Sequence, residues 1–179
     1  MRKNLVLSVL GACLLVATSS AAAIASGGSS STDYAGKNAQ GQKLFFAVDQ
    51  TSSGPQFDPY FINEINHCPV TGDTFTVEYD FSGFQIPIVH GKWDLNMNSI
   101  SQRFDWKGTL SSTGASGREY IDTPAFDYEG GLQDCGAGVL KWTAKKLVSS
   151  SPASQAPGAS YVVKISKAPD GSVQYTVSH

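Results

Sequence analysis

Residues Phe75, Val77, Tyr79 and Phe81 alternate with Thr76, Glu78 and Asp80. A helix would scatter those apolar side chains around its circumference, whereas a strand gathers them on one face. The two-residue period recurs in Leu44, Phe46 and Val48, in Trp93, Leu95 and Met97, and in Leu140, Trp142 and Ala144. Phe104, Trp106 and Leu110 follow it with a bend at Gly108, and apolar Phe45 and Ala47 predict burial on both faces of their strand. Turn signals separate these runs at Gly41, Gly54-Pro55, Thr71-Gly72-Asp73, Ser82-Gly83, His90-Gly91, Thr113-Gly114 and Gly130-Gly131. No window carries a helical stripe capped at both ends. The pattern predicts an all-β domain over residues 33–148, a single antiparallel β-sandwich or flattened barrel.

The start of the chain has a different character. Arg2 and Lys3 precede an apolar run from Leu5 to Ala17, then small residues through Ala21-Ala22-Ala23-Ile24-Ala25. That order is a secretory signal peptide over residues 1–25, cleaved after Ala25 or Ala23. A membrane span needs about 20 apolar residues, and Thr18-Ser19-Ser20 interrupts too early. Leu10-Gly11-Ala12-Cys13 offers a rival reading, a lipobox with lipid anchoring at Cys13, but the apolar run continues past the cysteine. Residues 26–32 read as a flexible Ser/Gly spacer. Removing Arg2 and Lys3 with the leader lowers the 13 basic residues to 11 against 15 acidic ones, a net charge of −4. The balance argues against a nucleic-acid partner, and nothing later in the sequence reads as a membrane span. The expected location is extracytoplasmic.

Beyond the leader the cysteines are Cys68 and Cys135. In an oxidising compartment such a pair is expected to form one disulfide. No Cys-x-x-Cys or His-x-His spacing supports a metal instead. Residues 149–160 are a Ser/Pro-rich linker, and residues 161–178 read as a hairpin. In it Tyr161, Val163 and Ile165 face Val173, Tyr175 and Val177 across Ala168-Pro169-Asp170-Gly171. An isolated hairpin is marginal in water, so this one is expected to dock on the main sheet.

The stretch Asp134-Cys135-Gly136-Ala137-Gly138-Val139-Leu140-Lys141-Trp142-Thr143-Ala144-Lys145-Lys146 resembles the closing strand of a family of small secreted bacterial β-domains of uncharacterised function. Tyr34 to Lys37 followed by Gly41 to Lys43 resembles its opening hairpin, and Cys68 falls where its first cysteine sits. Ile86-Pro87-Ile88 with Gly91-Lys92-Trp93, and Gly108-Thr109-Leu110 with Thr113-Gly114, resemble its later turns. The resemblance covers residues 34–146 and implies location and fold rather than a reaction. Cys135 and Trp142 would face opposite sides of an unbroken strand, so a Trp packed against the bridge predicts a one-residue bulge near Gly136 to Gly138.

Few residues of the chain carry a recognisable catalytic pattern. Gly114-Ala115-Ser116-Gly117 approaches a nucleophile elbow but lacks the last glycine and the helix. The acids alternate with apolar residues or occupy turns, where solvated acids belong, and no calcium-loop spacing occurs. No catalytic residue, cofactor or metal is assigned. Trp93, Trp106 and Trp142 read as core. Tyr120, Phe126 and Tyr128 lie in a Gly/Pro-interrupted stretch of weak periodicity, and form the candidate binding loop. The favoured expectation is a non-catalytic domain with a structural or binding role at the cell envelope. The alternatives are a calycin-like barrel holding a small apolar ligand and a secreted glycan-acting hydrolase using two acids.

Overall fold

The computed structural model describes residues 30–98, 103–128, 131–148 and 161–178, with the side chains of residues 98, 123–128 and 131–134 outside that description. The expected signal peptide over residues 1–25, Cys13 and the expected linker over residues 149–160 lie outside the described residues.

The fold is all-β. Strands β1 (Ser30–Asn38), β2 (Lys43–Thr51), β3 (Gly54–His67) and β4 (Thr74–Ser82) form a meander of antiparallel hairpins. The two-residue β5 (Ile86–Pro87) turns back onto β3. Strands β6 (Lys92–Asn98), β7 (Arg103–Leu110), β8 (Gly114–Tyr128) and β9 (Gly131–Lys146) make a second meander. β9 pairs with β1 along Asn38↔Trp142 to Tyr34↔Lys146, and touches β3 at His67↔Gly136. The sheet therefore curls on itself, and its concave face becomes a barrel-like core. β10 (Tyr161–Lys167) and β11 (Val173–Ser178) form a hairpin whose β10 adds in parallel to the outer edge of β4. Pro169 sits at the second position of its turn, closed by the Gly171 amide donating to the Ala168 carbonyl at 2.9 Å.

Ser30, Ser31 and Thr32 correct the expected spacer: they are the first residues of β1, paired with Gln50, Asp49 and Val48. Ladder bonds run through the backbone, so polar residues without alternation can still be strand.

The core is aromatic. Trp93, Trp106 and Trp142 are all buried, as their strand faces require. Phe57 stacks on Trp93 at 4.7 Å between centroids and meets Trp106 edge-on at 5.0 Å. Phe46 contacts all three tryptophans at 5.5–6.0 Å. These spacings are those of rings in contact, each pair adding about 0.5–1.5 kcal/mol beyond its area. The indoles fit because the facing cross-strand pair Gly108 and Gly117 leaves them room: a methyl on Gly108 would strike Trp93, and one on Gly117 would strike Trp142 and the Lys107 carbonyl. Phe45 and Ala47 are buried on the opposite face, so β2 is covered on both sides.

Cys68 and Cys135 are bonded across the β3–β9 contact, closing a separation of 67 residues. On β9, Gly138 faces Ile121 and Gly136 faces Asp122, which leaves Ala137 as an extra residue. This is the bulge that brings Cys135 and Trp142 into one core, and Gly138 adopts the φ of +69° that the step requires.

Candidate functional site

Two places in the fold gather chemistry, one inside and one outside. The interior one arises from a register change. On β3, Phe57 pairs with Val48 and Pro59 with Phe46, but Phe61 pairs with Phe45, so Tyr60 is an extra residue. After that bulge Ile62, Glu64 and Asn66 point inward, in phase with core residues Tyr79, Val77 and Phe75 of β4. On β8, Glu119 shares its face with core Ala115 and Ile121 and stands opposite Trp106. Both glutamates are fully buried.

The Asn38 side-chain amide donates to Glu119 Oε1 at 2.9 Å and to the Asn63 carbonyl at 3.0 Å, tying β1, β3 and β8 together. The Asn66 amide donates to the Tyr79 hydroxyl at 2.7 Å. Both oxygens of Glu64, Oε2 of Glu119 and Oδ1 of Asn66 have no hydrogen-bond partner among the described residues. Burial pushes the Glu64 carboxyl well above its usual range, and the nearby Glu119 adds to that. Burial also pushes Glu119 up to about 8, against the pull of the Asn38 hydrogen bond. Burial thus favours the neutral form of both acids, which avoids two unpaired buried charges. Glycoside hydrolysis needs a sugar between two accessible carboxyls, and these are sealed.

These glutamates correct the reading of the acids as solvated. Glu78 does so too, since it is 3% exposed on the other face of β4. The signal that could have found Glu64 is Pro59: a proline inside a paired strand marks a bulge, and a bulge exchanges inward for outward positions.

The exterior site lies on the convex face of β6–β9. Cross-strand pairing sets Asp94, Lys107, Arg118 and Lys141 in one row, and Asn96, Asp105, Tyr120 and Val139 in the next. Lys107 Nζ bridges Asp94 at 3.0 Å and Asp105 at 3.3 Å. Arg118 and Lys141 are exposed and make no ion pair among the described residues. The Arg103 guanidinium lies 5.1 Å over the Tyr120 ring, and the Tyr120 hydroxyl donates to Asp122 at 3.1 Å. A groove of about 920 Å³ runs beside these rows, with aliphatic Ile86, Pro87, Val89 and Val139 along it. A smaller one of about 310 Å³, lined by Tyr120, adjoins it at Arg118 and Val139.

Tyr120 thus belongs to this face. The stretch expected to be a binding loop is strand instead: Tyr120, Phe126 and Tyr128 lie on β8, opposite Val139, Gln133 and Gly131 of β9. Pro124 falls where the register slips between Thr123 and Phe126, so the broken periodicity marked a bulge in a long hairpin. The side chains of Phe126 and Tyr128 lie outside the described residues. Sequence reading missed Arg118 and Lys141. The β7–β8 turn could have given them, because once Ser111 to Gly114 closes the hairpin, Lys107 must face Arg118.

Among the described residues no group of three or more His, Cys, Asp or Glu is placed to hold a metal, and no helix is long and apolar enough to cross a membrane. No protein-family model, curated protein or solved structure matches the chain.

Proposed function

We propose that this protein is an exported, non-catalytic β-domain that works at the cell envelope by binding through its outer surface. The observation that carries the reading is the contrast between the two faces of the curled sheet. The concave side is occupied by Phe46, Phe57, Trp93, Trp106 and Trp142 in mutual contact, and its two carboxyls are sealed. The convex side of β6–β9 presents the groove of about 920 Å³ beside exposed cations. A calycin-like lumen for an apolar ligand would need the volume that the indoles fill, and a hydrolase would need its acids in an open cleft. The Cys68–Cys135 bond fits an oxidising compartment.

Fractionation tests the export half directly. Expressed with its own leader in a bacterial host, the chain is expected outside the cytoplasm, beginning at Ser26 or Ile24 and without free thiols. Full-length chain retained in the cytoplasm with reduced cysteines would contradict the proposal.

A further inference from the structure

The convex face carries a more specific reading, which rests on the proposal of surface binding. We infer that β6–β9 binds an acidic polysaccharide lying across the strands. Lys107, Arg118 and Lys141 are direct cross-strand neighbours on β7, β8 and β9. Adjacent strands lie about 4.8 Å apart, so the row extends about 10 Å perpendicular to the chain direction. Like charges placed directly opposite destabilise a sheet. Asp94 and Asp105 pair with Lys107, and among the described residues no acid pairs with Arg118 or Lys141, which face each other. An anionic ligand supplies the missing counter-charge.

The direction of the row selects the class of ligand. An added peptide strand runs parallel to its neighbour and bonds to a free edge, but β7, β8 and β9, which carry the three cations, have both edges paired, and β6, which ends the strand order, contributes Asp94 to the row. A polysaccharide chain needs no edge, and its repeat of one sugar ring is close to one strand spacing, so successive carboxylates or sulfates meet Arg118 and Lys141, the neighbouring cations of the row that Asp94 and Asp105 do not hold. The groove also offers exposed Val89 and Val139, 60% and 64% accessible, against which the C–H faces of sugar rings can lie. The chain left after the leader is acidic overall, which disfavours a broad polyanionic surface such as a duplex or an anionic bilayer and suits a single narrow strand of charge.

The test uses the purified disulfide-bonded protein on immobilised polygalacturonate and dextran sulfate, with neutral dextran and phosphatidylglycerol vesicles as comparisons. Retention on one or both acidic polymers, weakening with salt and absent on neutral dextran, is expected. The double variant Arg118→Ser/Lys141→Ser should lose affinity about tenfold, whereas Lys164→Ser on β10 should not. Thermal melting of each variant checks that the fold is kept. Equal binding by wild type and the double variant, or retention on neutral dextran, would overturn the inference. Binding to vesicles alone would also overturn it, while leaving surface binding at the envelope intact. Failure to bind any of the four surfaces by a protein shown to be exported would sink the inference without touching the export result.

Discussion

Glu119 shows how a buried side chain contributes to the response of the domain to pH. In an unfolded chain it ionises near 4.5, and in the fold near 8. The folded state keeps a proton that the unfolded state releases, so its stability is greatest below about pH 4.5 and declines as pH rises toward 8. Asp58, raised to about 6 by burial and by Asp49, acts in the same direction between its own two values. Urea unfolding at pH 4.5 and pH 8 should therefore show the protein less stable at the higher pH. Glu119→Gln, which keeps the shape but cannot ionise, should lessen that dependence, leaving the part carried by Glu64 and Asp58, and exceed wild type at pH 8. A wild type more stable at pH 8 would refute the buried neutral acid. His90 is a second point of strain. It holds φ at 51° in the two-residue turn closed by Val89 and Lys92. The left-handed region costs a non-glycine residue about 1–2 kcal/mol, and a turn with two positive φ values favours Asn or Gly there. His90→Asn should raise stability by about 0.5 kcal/mol in the same urea assay.

At the scale of elements, alternation was legible wherever a strand ran unbroken. β4, β6 and β9 beyond its bulge have their inward faces where the period of two puts them, and the tryptophans are core. Legibility failed at bulges. Counting in twos from Phe57 would send Phe61 and Asn63 inward and Glu64 to solvent, yet the extra residue at Tyr60 reverses that order. The slip after Thr123 made a long strand look like a loop. On β9 the demand that Cys135 and Trp142 share a core was enough to predict the step at Ala137. Gly108 gives a test of this packing. Gly108→Ala places a methyl inside the Trp93 ring and should destabilise by about 1–3 kcal/mol, with a shift in tryptophan fluorescence. Unchanged stability would mean that Trp93 does not sit against that strand.

For the whole molecule, the class was readable from local pattern because hairpins pair neighbours in sequence. Closure was not readable, since the β1–β9 ladder, the single β3–β9 bridge and the parallel docking of β10 on β4 join distant segments. The two cysteines were the local clue to the β3–β9 contact, and the marginal C-terminal hairpin was the clue that it docks, though not on which strand. Their bond closes 67 residues, and on the chain-entropy account replacing both with Ala should cost about 4 kcal/mol. Equilibrium unfolding of Cys68→Ala/Cys135→Ala measures that directly.

The division between a filled interior and a working exterior is tested most directly by NMR titration with an oligogalacturonate. The three indole N–H signals report the interior, and the backbone amides of β8 and β9 report the convex face. The account predicts shifts centred on Arg118, Tyr120, Val139 and Lys141 while the Trp106 and Trp142 indoles stay in place. Indole signals that move while those amides stay still would put the ligand inside the barrel and contradict it.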